Sequence, residues 1–211
     1  MVSCAQAKPE ISATSVKMLR VQELNEQFSE RLSLFVLFSD EDGNQDFSGI
    51  RLLHNASGME WVLEKENTIV RLRGNDRWIG SSDIAPAGNT LFPEGEYTII
   101  ASDLSGNEAV KPILLNRPDF PKLAPVSFSL DGDLWTLERN PDAGEFTENF
   151  LFLHNTEPWL VHTWKMPSVQ KKSVGDLETF RRDAREAVTI QCYSENKSGT
   201  AGVLLRPVEM E

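Results

Sequence analysis

Two cysteines, two tyrosines and three histidines are all that this 211-residue chain holds of those types. So few thiols and imidazoles rule against a disulfide framework. Zinc needs three or four converging ligands, and His54, His154 and His162 show no helical or hairpin ligand spacing. Positive charge is in deficit as well: 21 Lys and Arg face 32 Asp and Glu, a formal net charge of −11. Nucleic-acid affinity comes largely from neutralising phosphates, and anionic membrane surfaces attract cations in the same way, so both partners are disfavoured. No apolar run reaches the ~18 residues of a transmembrane helix. The Gly-x-Ser-x-Gly elbow, His-Glu-x-x-His, Cys-x-x-Cys and a phosphate-cradling Gly-rich loop are all missing. Carboxylates abound but nothing in the sequence pairs them, so the expectation is a protein that is not an enzyme.

What is present is a globular balance, 40% hydrophobic, 9% aromatic and 25% charged. At ~100–150 residues per domain, that suffices for one large or two small cores. Leu32–Phe38 is a short apolar run closed by the turn cluster from Ser39 to Asn44, which reads as a buried strand. Ile50–His54, Glu60–Leu63, Thr68–Leu72, Tyr97–Ser102 and Ala109–Leu115 follow at short spacing, separated by Gly and Asn. Pro118, Pro121 and Pro125 then interrupt the pattern, since proline is excluded from central strands. Beyond them Val126–Leu130, Leu134–Leu137, Phe150–His154, Leu160–Trp164, Val188–Tyr193 and Gly202–Leu205 read as strands. Asp176–Ala187 reads either as one helix capped by Asp176 or as a polar loop with a strand in it. The domain expectation is a tether at 1–10, a first domain at 11–116, a Pro-rich linker at 117–125 and a second domain at 126–211.

The two halves echo each other. Ile50-Arg51-Leu52-Leu53-His54-Asn55 matches Phe150-Leu151-Phe152-Leu153-His154-Asn155, and a Trp follows each, Trp61 and Trp159. Later, Tyr97-Thr98-Ile99 with Ser105-Gly106-Asn107-Glu108-Ala109 matches Val188-Thr189-Ile190 with Ser198-Gly199-Thr200-Ala201. The same order in both halves points to duplication. Within the first half, Pro93-Glu94-Gly95-Glu96-Tyr97 and Asp103-Leu104-Ser105-Gly106-Asn107 resemble the C-terminal hairpin of bacterial immunoglobulin-like domains. The resemblance covers residues 11–116 and implies an all-β architecture of two tandem immunoglobulin-like β-sandwich domains, with a short helix allowed in the second. It also implies that Tyr97 is buried, its hydroxyl bonded to backbone upstream as in a tyrosine corner. The second half lacks the Tyr, having Val188 there, and its sandwich rests on the repeat.

The opening residues Met1-Val2-Ser3-Cys4 resemble the lipobox of bacterial lipoproteins, although no charged and apolar leader precedes them. That resemblance implies a lipid on Cys4, a polar tether after it and a place in the bacterial cell envelope, periplasmic or surface-exposed. The other reading is an ordinary thiol. Cys192, in Val188–Tyr193, reads as a small apolar core residue.

Three further groups are candidate sites. Asp40, Asp42, Asn44 and Asp46 place oxygens at alternate positions, as calcium loops do, against a plain solvated turn. An EF-hand is excluded because Gln45 stands where Gly is required and Arg51 where a bidentate Glu belongs. Trp78 and Trp159 are candidates for an exposed carbohydrate platform, against burial as core residues. Lys165, Lys171, Lys172, Arg181, Arg182 and Arg185 form a basic stretch that reads as a solvated face or a docking patch. The expected function is a non-catalytic envelope lipoprotein that presents a surface to an envelope or host protein. The alternatives are a carbohydrate- or peptidoglycan-binding module and a calcium-stiffened adhesin.

Overall fold

The computed structural model describes residues 8–40, 46–88, 90–157, 160–167 and 170–210. It divides into two compact units, one formed by the chain through Lys17 with Arg31–Arg117, the other by Met18–Glu30 with Pro118–Glu211. The first and second strands therefore each contribute to both units.

The first unit contains β1 (Glu10–Gln22, through Lys17), β2 (Phe28–Ser39, from Arg31), β3 (Phe47–His54), β4 (Glu60–Glu64), β5 (Ile69–Arg73), β6 (Asp76–Ile84), β7 (Gly95–Asp103) and β8 (Glu108–Leu115). One sheet runs β1-β2-β6-β5 and the other β4-β3-β7-β8. That is the strand division of an immunoglobulin-like sandwich. Leu34, Val36, Phe38 and Ile79 from the first sheet are buried, as are Ile50, Leu52, Tyr97 and Ile99 from the second. The rings of Phe38 and Phe47, one from each sheet, meet edge to face at 5.3 Å. Tyr97 is fully buried and its hydroxyl donates to the Pro93 carbonyl at 2.7 Å, the corner implied by the motif.

The second unit contains β9 (Val126–Asp131), β10 (Leu134–Arg139), β11 (Phe146–His154), β12 (Leu160–Met166), β13 (Lys172–Asp176), α1 (Glu178–Asp183), β14 (Thr189–Asn196), β15 (Ala201–Leu204) and β16 (Val208–Glu209). A three-stranded sheet β13-β10-β9 stands beside the run β12-β11-β14-β15, to whose outer strand Met18–Val21 of β1 adds in parallel. Leu137, Phe146, Leu151, Leu153, Phe180, Ile190, Cys192 and Val203 make one buried cluster. Burial pushes the Cys192 thiol up to about 12, so it is an inert core residue.

The repeat has a structural counterpart. β3 pairs with β4 and β7, and β11 pairs with β12 and β14, so the two His-Asn segments end equivalent strands. The helix is shorter than the span Asp176–Ala187: Asp176 closes β13 and accepts the Glu178 amide at 2.8 Å, and the turn ends at Asp183. Residues 116–125 carry neither strand nor helix, as three prolines require.

Candidate functional site

β11 is apolar at every position from Phe150 to Leu153. Leu151 and Leu153 are fully buried, which turns Phe150 and Phe152 to the opposite, outward face, where they are half-buried. Strand register extends that face into a row. Phe150 stands opposite Lys165 on β12 and Tyr193 on β14, Tyr193 opposite Leu204 on β15, and Leu204 opposite Val21 on β1. Tyr193 packs against Phe152 at 5.6 Å with 18° between the rings, and against Phe150 at 6.0 Å. Charge rims the row: Lys165 lies 5.8 Å from the Phe150 ring and pairs with Glu148, while the Tyr193 hydroxyl donates to Glu195. An apolar centre with a polar rim is the anatomy of a binding surface. The signal in the sequence was Phe150-Leu151-Phe152-Leu153 itself. A strand with one solvated face alternates, and this one does not.

The acidic candidates divide. Asp42 and Asn44 lie outside the described residues, whereas Asp40 and Asp46 converge with Asp103, their ligand oxygens all within 4.8 Å. Asp103, at the end of β7, is buried, and its two oxygens accept from Asn107 N and Asn107 Nδ2, both at 2.7 Å. Three carboxylates fall short of the six to eight oxygens of a calcium shell, so the described residues supply part of one. Burial alone raises the Asp103 pKa, but hydrogen bonds from Asn107 and from the Ser105 and Gly106 backbone together outweigh it and hold it below its ordinary 3.8. A folded-state value below the unfolded one gives stability that is present above the unfolded value and lost as pH falls through the folded one. Asn107→Ala is therefore expected to lower stability at neutral pH and to flatten the loss below about pH 4. Denaturant titrations across pH should show the two curves converging in acid; parallel curves would contradict the assignment.

Trp78 sits in β6. Its ring is half-buried, with the Arg73 guanidinium over it at 5.6 Å. Trp159 and Cys4 lie outside the described residues. The basic stretch disperses over β12, β13 and α1, with Arg181 paired to Asp133 and Arg182 to Asp183, the pattern of a solvated surface. His54 is buried, with Nδ1 against Ser57 Oγ at 2.7 Å and Nε2 against the Glu94 carbonyl at 3.2 Å, a strand-end structural residue.

No family model and no curated protein matches the chain. Among solved structures it is similar to Tp47, the 47-kilodalton lipoprotein of Treponema pallidum, with 11% identity and a TM-score of 0.48 over 99% of this chain and 52% of that one. It thus spans about half the length of that protein. It is similar also to a Bacteroides ovatus protein of a mixed-linkage glucan utilization locus, solved with a heptasaccharide, at 10% identity and TM-score 0.27 over 92% of this chain and 60% of that one. Murine CEACAM1b gives 12% identity and TM-score 0.26 over 93% and 99%. At these values the all-β sandwich stands on the strand order described above.

Proposed function

We propose that this chain is a non-catalytic binding protein of the bacterial cell envelope, held by a lipid on Cys4, whose tandem immunoglobulin-like units present a protein-docking face. The observation that supports the docking face is the row Phe150–Tyr193–Leu204–Val21, in which half-buried Phe150, Leu204 and Val21 surround a buried Tyr193, apolar across four strands where a solvated sheet face would be polar. Aromatic anchors ringed by polar groups are where interfaces concentrate their energy, ~2 kcal/mol or more per anchor. The lipid and the envelope rest on the lipobox resemblance alone.

A photo-crosslinking residue at Phe152, in full-length protein expressed in its native host, is expected to give one discrete protein adduct. Leu204→Arg, in the same row, should weaken that adduct at least tenfold, about 1.4 kcal/mol. A crosslinker at Lys111, in the first unit, serves as control. Equal adducts at both positions would overturn the reading, and co-sedimentation with peptidoglycan without any protein adduct would replace it by the glycan-binding one. The mass of the N-terminal peptide from the same cells tests Cys4: a diacylglyceryl-modified cysteine supports the anchor and an unmodified one removes it.

A further inference from the structure

Met18–Glu30, the far part of the β1–β2 pair, is an arm that continues from the strands of the first unit and completes the second. β15 has β14 on one side and the arm on the other, with Met18 opposite Ala201 and Val21 opposite Leu204 in parallel. The seam between the arm and the rest of the second unit, Pro118–Glu211, has the anatomy of an interface between subunits. Its centre is apolar: Met18 is 1% exposed and Leu19 8%, and Phe28 packs against the buried cluster. Its rim is polar. The Arg206 amide donates to Gln22 Oε1 at 3.3 Å, the Arg206 guanidinium lies 3.6 Å from Glu26, and Arg20 Nη1 donates to the Pro121 carbonyl at 2.8 Å. Without the arm the outer edge of β15 is an open strand edge, and open edges invite another strand. What fits that edge is seen directly, because the arm itself occupies it.

Parallel strands need long connections, and the one between the arm and β15 runs through Arg31–Arg117 of the first unit. Where it leaves that unit it is short. The Arg117 amide donates to Glu94 Oε1 and its guanidinium to the Phe92 carbonyl, both at 2.7 Å, so Arg117 is fastened to the first unit. Phe120 and Pro121 are fastened to the arm by Arg20, which lies 5.7 Å from the Phe120 ring and bonds the Pro121 carbonyl. Only Pro118 and Asp119 stand between these two anchorages. Proline fixes its own φ and keeps the residue before it extended, so this hinge has few conformations. A short, stiff hinge limits the ways in which the chain from Phe120 onward can close on its own arm. The arm of a second copy offers the same seam, contact for contact, without that limit.

We infer that the seam is exchangeable: the chain from Phe120 onward in one copy docks on Met18–Glu30 of a second, and the reciprocal exchange gives a closed two-fold dimer. The outward row of each second unit then takes Val21 from one copy and Leu204, Tyr193 and Phe150 from the other. The inference rests on the seam and the hinge, not on the docking role of that row, so either can fail without the other.

The test uses full-length chains with Cys4→Ser, one carrying Val21→Cys and the other Leu204→Cys, half-buried positions that stand opposite each other across the seam. The two are unfolded together in urea with reductant, refolded at ~1 mM, near the effective concentration of a short linker, or at ~1 μM, and oxidised once folded. Exchange predicts a disulfide between one chain of each kind at the higher concentration, at least tenfold scarcer at the lower. Either version oxidised alone should give at least tenfold less linked dimer. Inserting Gly-Ser-Gly-Ser between Pro118 and Asp119 should cut the mixed product several-fold, which chance collision would not. A single chain with both cysteine substitutions should close internally at low concentration, and its failure to do so overturns the seam itself. Absence of the mixed disulfide while that chain closes overturns the exchange. If a cysteine variant does not fold, the unsubstituted chain refolded at both concentrations decides. A dimer that outlasts dilution and separates only on unfolding supports exchange; no dimer, or one that separates on dilution alone, overturns it.

Discussion

Phe180→Ala is expected to destabilise the protein by about 3–5 kcal/mol, the range for emptying a buried phenylalanine site. Phe180 is 1% exposed and is the buried residue of α1, a helix of six residues. So short a helix has little stability of its own; its apolar contact holds it. The ring stacks on Trp135 of β10 at 5.7 Å and meets Trp164 of β12 edge to face at 5.2 Å, joining the two sheets of the second unit. Trp135 does not fill the void readily. The Trp135 indole already lies against Gly175, where an added Cβ would come within 2.4 Å of it. The cavity therefore stays open, and the cavity component adds to the lost transfer energy. Urea unfolding followed by tryptophan fluorescence should show a lower midpoint with an altered native emission, while Phe180→Leu recovers more than half the loss. A loss below about 1 kcal/mol for the alanine variant would show that α1 does not hold the sheets together.

Legibility in the sequence followed the location of the information. β2, β3, β7 and β11 were readable because their own side chains fill the core, announced by continuous apolar runs in β2 and β11 and by shorter apolar groups between turn residues in β3 and β7. β1, β6 and β13 were not anticipated. Their sequences, such as Asp76-Arg77-Trp78-Ile79-Gly80-Ser81 and Lys172-Ser173-Val174-Gly175-Asp176, are held largely by backbone bonds to a neighbouring strand, which composition does not record. Trp78 lies in one of these strands, two residues before Gly80, which serves a close strand approach. The Tyr97 corner was legible because its bond closes within four residues. The acidic cluster was half legible: Asp40 and Asp46 are near neighbours in the sequence, but Asp103 arrives from a distant strand through register. The outward aromatic row was latent in Phe150 and Phe152. Its other members, Tyr193, Leu204 and Val21, come from three further strands, and only pairing aligns them.

Gly80→Ala is the other substitution expected to do large damage, and its cause is backbone against backbone. A Cβ at Gly80 would fall 1.9 Å from the Leu34 carbonyl oxygen and 2.8 Å from Phe35 Cα. At Gly175 the atom in the way belongs to a side chain, whereas at Gly80 it is backbone, so strand β2 or β6 must move. The register between β2 and β6 already shifts between Leu32 and Leu34, so the close approach belongs to a local irregularity in the pairing. Overpacking a core costs about 1–3 kcal/mol, and a clash with fixed backbone belongs at the top of that range or above it. The loss should reach beyond one contact. Phe35 stands opposite Gly80, and Arg71 of β5 lies over the Phe35 ring, so displacing β6 removes the one strand to which β5 is bonded among the described residues. Urea titration should give a midpoint well below wild type, and amide exchange at Ile69, Arg71 and Arg73 should accelerate at least as much as the global loss requires. A variant with wild-type midpoint and intact β5 protection would mean that β2 and β6 stand further apart than this pairing places them.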